Sequence, residues 1–186
     1  VALIAAFGTL GYYITGRRVK QPFFAFMARY SVIFILLILM EVAFLWLAPS
    51  VHETMRDLTA SFVGRALLFS GVSHTVAGSV ITVENPNIAF SIDTSCLGGI
   101  LFWTFIALVL AESGVTPRQR LAGLAAGLAM LEVFNLFRIF VSIYLEWRTG
   151  VNVHNYFYLF NMVFVLLVWA GWVWTLKPRP SRGGTT

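Results

Sequence analysis

Charge is what this chain has least of: Asp, Glu, Lys and Arg together make up 11% of it, against 59% hydrophobic residues. That balance excludes an ordinary soluble domain, which would be covered in apolar surface, and makes a bilayer the fitting solvent. Cysteine is rarer still. Cys96 stands alone, so no intrachain disulfide can form, and packing, linkage to another chain or reactivity remain as its uses. Histidines and carboxylates are too few and too scattered to form a tight cluster with it, so neither a metal nor a cofactor is expected. Polar stretches long enough for a separate globular unit are also missing, and the 186 residues read as a single membrane domain. The net charge of +5 does not point to nucleic acid, because the positive residues fall in short clusters between apolar stretches.

Those stretches set the architecture. A helix needs ~20 apolar residues to cross ~30 Å of hydrocarbon. Residues 23–48, 97–112, 121–147 and 155–176 approach that length, and residues 1–15 form a shorter fifth stretch. The last could be mistaken for a signal peptide, but it has no basic leading region and no small-x-small exit and ends in Gly16-Arg17-Arg18-Val19-Lys20. It is read as a membrane helix. The expectation is therefore an all-α polytopic protein of about five transmembrane helices.

Short loops rich in Lys and Arg stay in the cytoplasm. Arg17, Arg18 and Lys20, then Arg118 and Arg120, then Lys177, Arg179 and Arg182 fall in alternate loops, whereas the intervening loops hold only Arg56, Arg65 and Arg148. This pattern predicts the carboxyl terminus inside and residues 49–95 outside. Within that outer segment, Val51, Met55, Leu58, Phe62, Ala66 and Phe69 recur every three or four residues, which predicts an amphipathic helix lying on the membrane. From Thr75 to Asp93, β-branched residues near period two flank Asn85-Pro86-Asn87 and predict a small β-hairpin leading into Cys96.

Three residues carry the chemistry. Cys96 follows Thr94 and Ser95, either of which can cap a helix beginning near Leu97 and place the sulfur at the positive end of its dipole. Such a position favours thiolate over an inert small hydrophobe. Gly98 and Gly99 permit close backbone approach, by a substrate or by a neighbouring helix. Arg138 lies inside an apolar stretch, where a charge costs at least about 2.5–3.5 kcal/mol on insertion scales. It precedes Trp147 by nine residues, about 13 Å of helix, and so belongs to the outer half of the membrane. Glu132, Asn135, Arg138, Ser142 and Glu146 share one polar face at helical spacing. A Glu132–Arg138 charge pair with Asn135 joining helices is the structural reading of that face. His154 opens the last apolar stretch on the outer side; His52 and His74 are less well placed. An imidazole beside a thiol can activate it, although an interfacial His is more often solvated or capping.

Ser95-Cys96-Leu97-Gly98, then Asn135-Leu136-Phe137-Arg138, then His154 opening the final helix resemble the exosortase and archaeosortase family, over roughly residues 30–176. The flanks of Cys96 differ from the Ala-Cys-Ser/Thr-Gly usual there. The resemblance implies a membrane-embedded cysteine transpeptidase or protease with Cys96 as nucleophile, Arg138 and His154 as its partners, and Asp93, Asn135, Ser95 and Gly98 in support. It implies as partners exported proteins ending in a short motif, a transmembrane segment and a basic tail, together with membrane lipid and a lipid or glycan acceptor. The rival from another class is a transport protein with Glu132, Asn135 and Arg138 along a substrate path. A third reading is a non-catalytic membrane scaffold.

Overall fold

The computed structural model describes residues 23–176 apart from Pro86, and excludes the side chains of residues 154, 155, 158 and 159. The expected helix over residues 1–15 lies outside the described residues. Helix α1 (Phe23–Leu47) stops where Pro49, which has no N–H to donate, opens helix α2 (Pro49–Phe69) at its first turn. Three strands follow: β1 (His74–Ala77), β2 (Val80–Val83) and β3 (Ile88–Ser91). A 3₁₀ turn over Thr94–Leu97 then leads to α3 (Gly99–Ala111), α4 (Pro117–Thr149) and α5 (His154–Thr175). Four of the five expected apolar helices are thus present within a residue or a few of their expected ends.

Among the described residues, three segments are long and apolar enough to cross a membrane: Phe23–Leu47, Thr94–Ala111 and Pro117–Thr149. The last helix is apolar over Phe160–Thr175. The protein is a polytopic, mainly helical membrane protein. Large side chains of α1 such as Val32, Leu36 and Leu39 point away from the protein, as lipid-facing positions do. Inside, Tyr30, Leu101, Phe105, Leu108, Leu131, Val165 and Trp169 form one core. Small residues let the helices close on it. A Cβ at Gly127 would collide with the Phe105 ring, and one at Gly123 with Trp172.

The 33 residues of α4 measure about 50 Å at 1.5 Å per residue, well beyond the ~30 Å of hydrocarbon. Thr116 and Gln119 close its start as a reciprocal capping box, and Gly150, at φ 70°, ends it. Its second half packs on a separate core: Ile139 and Ile143 meet Ala60, Val63 and Leu67 of α2 and Ile81, Val83 and Ile92 of the sheet region. The face of α2 that touches protein is Thr59, Ala60, Val63, Gly64 and Leu67. Its apolar stripe faces away: Val51, Met55, Leu58 and Phe62 are exposed, and Phe69 is 91% exposed. That is the disposition a helix lying on a membrane requires.

The expected hairpin is a three-stranded antiparallel meander, in the order β1-β2-β3. Its first turn was missed because it is carried by only Gly78 and Ser79 between strands of four residues, with Gly78 at φ 57°. The second turn lies between Val83 and Ile88, as expected; Asn85 there adopts φ 53°, and its carbonyl accepts from Trp147 Nε1 of α4 at 3.2 Å.

Candidate active site

Cys96 does not stand at the start of a long helix. Asp93, rather than Thr94 or Ser95, supplies the cap, and it caps the short 3₁₀ turn: Asp93 Oδ1 accepts from the Cys96 amide at 3.1 Å and from the Ser95 hydroxyl at 2.6 Å. Gly98 then takes φ 75°, which a side chain would strain, and α3 begins only at Gly99. The cause is local. A carboxylate three residues before an amide competes for it better than a hydroxyl, and the left-handed Gly98 prevents the turn from continuing as one helix.

The chain here is held from the opposite side by α4. Asn135 Nδ2 donates to the Cys96 carbonyl at 2.9 Å, and a Cβ at Gly98 would stand only 3.1 Å from the Asn135 amide, so a small residue is needed there. Cys96 is 5% exposed. The Asp93 carboxyl, outside the helix, is held below the usual carboxylate range chiefly by the Ser95 hydroxyl, against the opposing effect of burial; the Cys96 thiol and the amides of Cys96 and Ser95 add to it.

One turn along α4 from Asn135 is Arg138, the largest fully buried side chain among the described residues, at 1% exposure. Its guanidinium lies within electrostatic reach of the Cys96 thiol. The orientation of the Asn161 amide that satisfies both of its neighbours accepts from Arg138 Nη1 at 3.0 Å and donates to the Phe157 carbonyl at 3.2 Å. Asn161 is buried on α5, and sequence reasoning did not single it out. The available signal was an uncharged amide within an otherwise apolar helix, where polar groups seek partners on neighbouring helices.

The polar face expected on α4 divides. Asn135 and Arg138 are buried, whereas Glu132 faces a wholly different, mostly apolar cavity with Met40, Glu41, His52 and Trp103. Glu132, Asn135 and Arg138 therefore do not line one common path. Farther along α4, Ser142 and Glu146 border a cavity of about 270 Å³ that also contacts Cys96, Asp93 and Ala89, Phe90 and Ser91 of β3. This is the space that borders the otherwise buried Cys96. His154 begins α5, as expected from the sequence, but its side chain lies outside the described residues.

Apolar spans define a polytopic membrane protein, in which a lone cysteine is bound into a capped turn with a cavity at its edge and a buried guanidinium lies on the helix that holds the turn. The chain belongs to the transmembrane exosortase family, whose model matches residues 1–175. Membership supports, at the level of the family, a membrane-embedded sorting transpeptidase acting on exported proteins with carboxyl-terminal sorting signals. Neither a curated protein nor a solved structure matches the chain.

Proposed function

We propose that this protein is a cysteine transpeptidase that cleaves the carboxyl-terminal sorting signal of exported proteins at the outer membrane face and transfers the product to a lipid or glycan acceptor. The observation that carries the reading is the position of Cys96: it borders a cavity of about 270 Å³, and its carbonyl is held by Asn135, one turn of α4 from the buried Arg138. The distribution of Lys and Arg supports a site facing outside and a cytoplasmic carboxyl terminus.

In the reaction, His154 takes the thiol proton and Cys96 Sγ attacks the scissile carbonyl. Arg138 neutralises the oxyanion that develops on the carbonyl oxygen. The C–N bond breaks, the departing amine takes the proton from His154, and a thioester joins the exported protein to Cys96. An amine on the acceptor then attacks the thioester carbonyl; the C–S bond breaks and the thiolate recovers a proton. His154 and Asn161 are seven residues apart in the sequence of α5, and the Asn161 amide accepts from Arg138; that spacing supports a shared site.

The test uses a secreted reporter fused to the motif, helix and basic tail of an exported protein encoded by the same genome. Cys96→Ala is expected to abolish its cleavage, Arg138→Met to slow it by about 10²–10³-fold, and His154→Ala by about 10²–10⁴-fold. Hydroxylamine should intercept the thioester in the wild type and yield a reporter hydroxamate. Undiminished cleavage in Cys96→Ala would sink the proposal.

A further inference from the structure

The third strand has a free edge, and that edge leads into the cysteine. In the sheet order β1-β2-β3, only β2 pairs with β3 among the described residues. The register pairs Val83 with Ile88, Ile81 with Phe90 and Val80 with Ser91, and continues with the Ile92 amide donating to the Ser79 carbonyl at 2.8 Å. In an antiparallel ladder, residues that exchange hydrogen bonds alternate with residues whose N–H and C=O point away. Ile92 is bonded to β2, so Phe90 and Ile88 are too, while the amides and carbonyls of Ala89 and Ser91 are directed to the open side. The same alternation holds across β2, whose Glu84 amide donates to the Ser73 carbonyl on the β1 side.

Proteins blunt exposed edges with charge, proline or a bulge. The strand Ile88-Ala89-Phe90-Ser91 is protected only by its shortness: it has no charged residue and no proline, and its register with β2 is unbroken. The opposite edge strand, β1, instead lies against α2, where Gly64 is so close that a Cβ would meet Val76 and His74. Phe90 packs into the core with Ile139 and Ile143, while Ala89 and Ser91 are exposed. Most tellingly, the cavity that borders Cys96 is also bordered by Ala89, Ser91 and Asp93, so one space joins β3 to the cysteine.

We infer that the exported protein binds by adding a strand to β3: the extended segment ahead of its scissile bond pairs with the backbone of Ala89 and Ser91 and is thereby delivered to Cys96. This rests on the catalytic reading above and adds to it the substrate's conformation and the surface that holds it. Strand addition suits an enzyme that must accept many exported proteins, because main-chain hydrogen bonds supply affinity whatever the side chains. Direction follows from topology. β3 runs toward the membrane and continues into a spanning helix, and a sorting signal likewise runs from its motif into its own helix, so the two strands are parallel.

Proline at Ala89 or Ser91 deletes an outward amide and spares the ladder to β2. Ala89→Pro and Ser91→Pro are expected to slow reporter cleavage at least tenfold while Cys96 keeps its wild-type rate of alkylation by a small maleimide. Cleavage at the wild-type rate in both, with Cys96→Ala inactive, would overturn strand addition and leave the catalytic reading standing. Cleavage surviving in Cys96→Ala would bring down the catalytic reading itself. A second measurement does not depend on the proline variants folding. In Cys96→Ala, a cysteine introduced by Ala89→Cys or Ser91→Cys is crosslinked to reporters carrying single cysteines ahead of the scissile bond. Parallel pairing requires crosslinks at every second reporter position, shifted two residues toward the scissile bond on going from Ala89→Cys to Ser91→Cys. An aperiodic pattern, or a shift the other way, would overturn the inference.

Discussion

The molecule has two cores of different character, and α4 passes through both. In the helical bundle, Leu101, Phe105, Leu131 and Val165 interlock, and their specificity comes from shape, with glycines setting how near the helices approach. In the second core, between α2, the sheet and the end of α4, short segments are placed by individual hydrogen bonds: Trp147 to the Asn85 carbonyl, Asn135 to the Cys96 carbonyl, Asp93 to the Cys96 amide. Asn135 and Arg138 lie on α4 between Leu131 of the first core and Ile139 of the second, at the junction of the two. The comparison teaches that the bundle gives this protein its stability and provides a rigid rail, while the smaller core adjusts where one sulfur sits.

That division can be broken from either side. The largest effect is expected in the bundle: Gly127→Leu drives a side chain into Phe105 and should cost about 3 kcal/mol, at the upper end of overpacking penalties. It should appear as a lowered melting temperature in detergent and a fall in folded yield. A thermal stability equal to wild type would show that the glycine contact is not what seats the helices.

A smaller effect on stability, with a larger one on chemistry, is expected at the junction. Asn135→Leu removes the donor to the buried Cys96 carbonyl, a loss of about 1–3 kcal/mol for the unsatisfied group. Because the bond spans two elements, the turn should loosen while the bundle persists: reporter cleavage should fall at least tenfold with the melting temperature lowered only modestly. If cleavage and melting temperature fell together to the extent seen for Gly127→Leu, the two cores would have to be regarded as one.

The smallest effect concerns acid. The carboxyl of Asp93 is held below its ordinary value of 3.8 in the folded turn. A lowered folded value means that its contribution is fully present above the unfolded pKa and is lost as pH falls through the folded one. Between pH 7 and 5 the turn should be unaffected. At pH values under 3.8, amide hydrogen exchange over residues 93–98, corrected for its intrinsic pH dependence, should lose protection in the wild type. In Asp93→Asn that acid step should be missing. An identical acid step in both proteins would remove Asp93 from the account of how Cys96 is held.

The bundle was largely legible in advance, since four apolar stretches became α1, α3, α4 and α5, and the stripe from Val51 to Phe69 became α2 with its apolar face turned outward. The meander was half legible: period-two residues and Asn85-Pro86-Asn87 were visible, but a strand of only four residues, ending at Ala77 just before Gly78, was not. The candidate site was legible as residue types and only partly as an arrangement. Thr94 and Ser95 were reasonable caps by position, yet Asp93 displaced them, because its carboxylate reaches the Cys96 amide while Gly98 ends the turn. Asn161 escaped notice because its significance depends on Arg138, 23 positions earlier on another helix.

By itself, then, the amino-acid order determined which stretches are long and apolar enough to form membrane helices, and that an arginine lies inside one of them. Those are consequences of period, length and charge, which act over a few residues at a time. Tertiary structure alone decided that Glu132 borders a cavity apart from the buried Asn135 and Arg138, that the Cys96 turn hangs from an amide 39 residues away, and that β3 shares a cavity with Cys96. Such relations arise only when distant segments are packed together, because a hydrogen bond across 39 residues leaves no periodic trace along the chain.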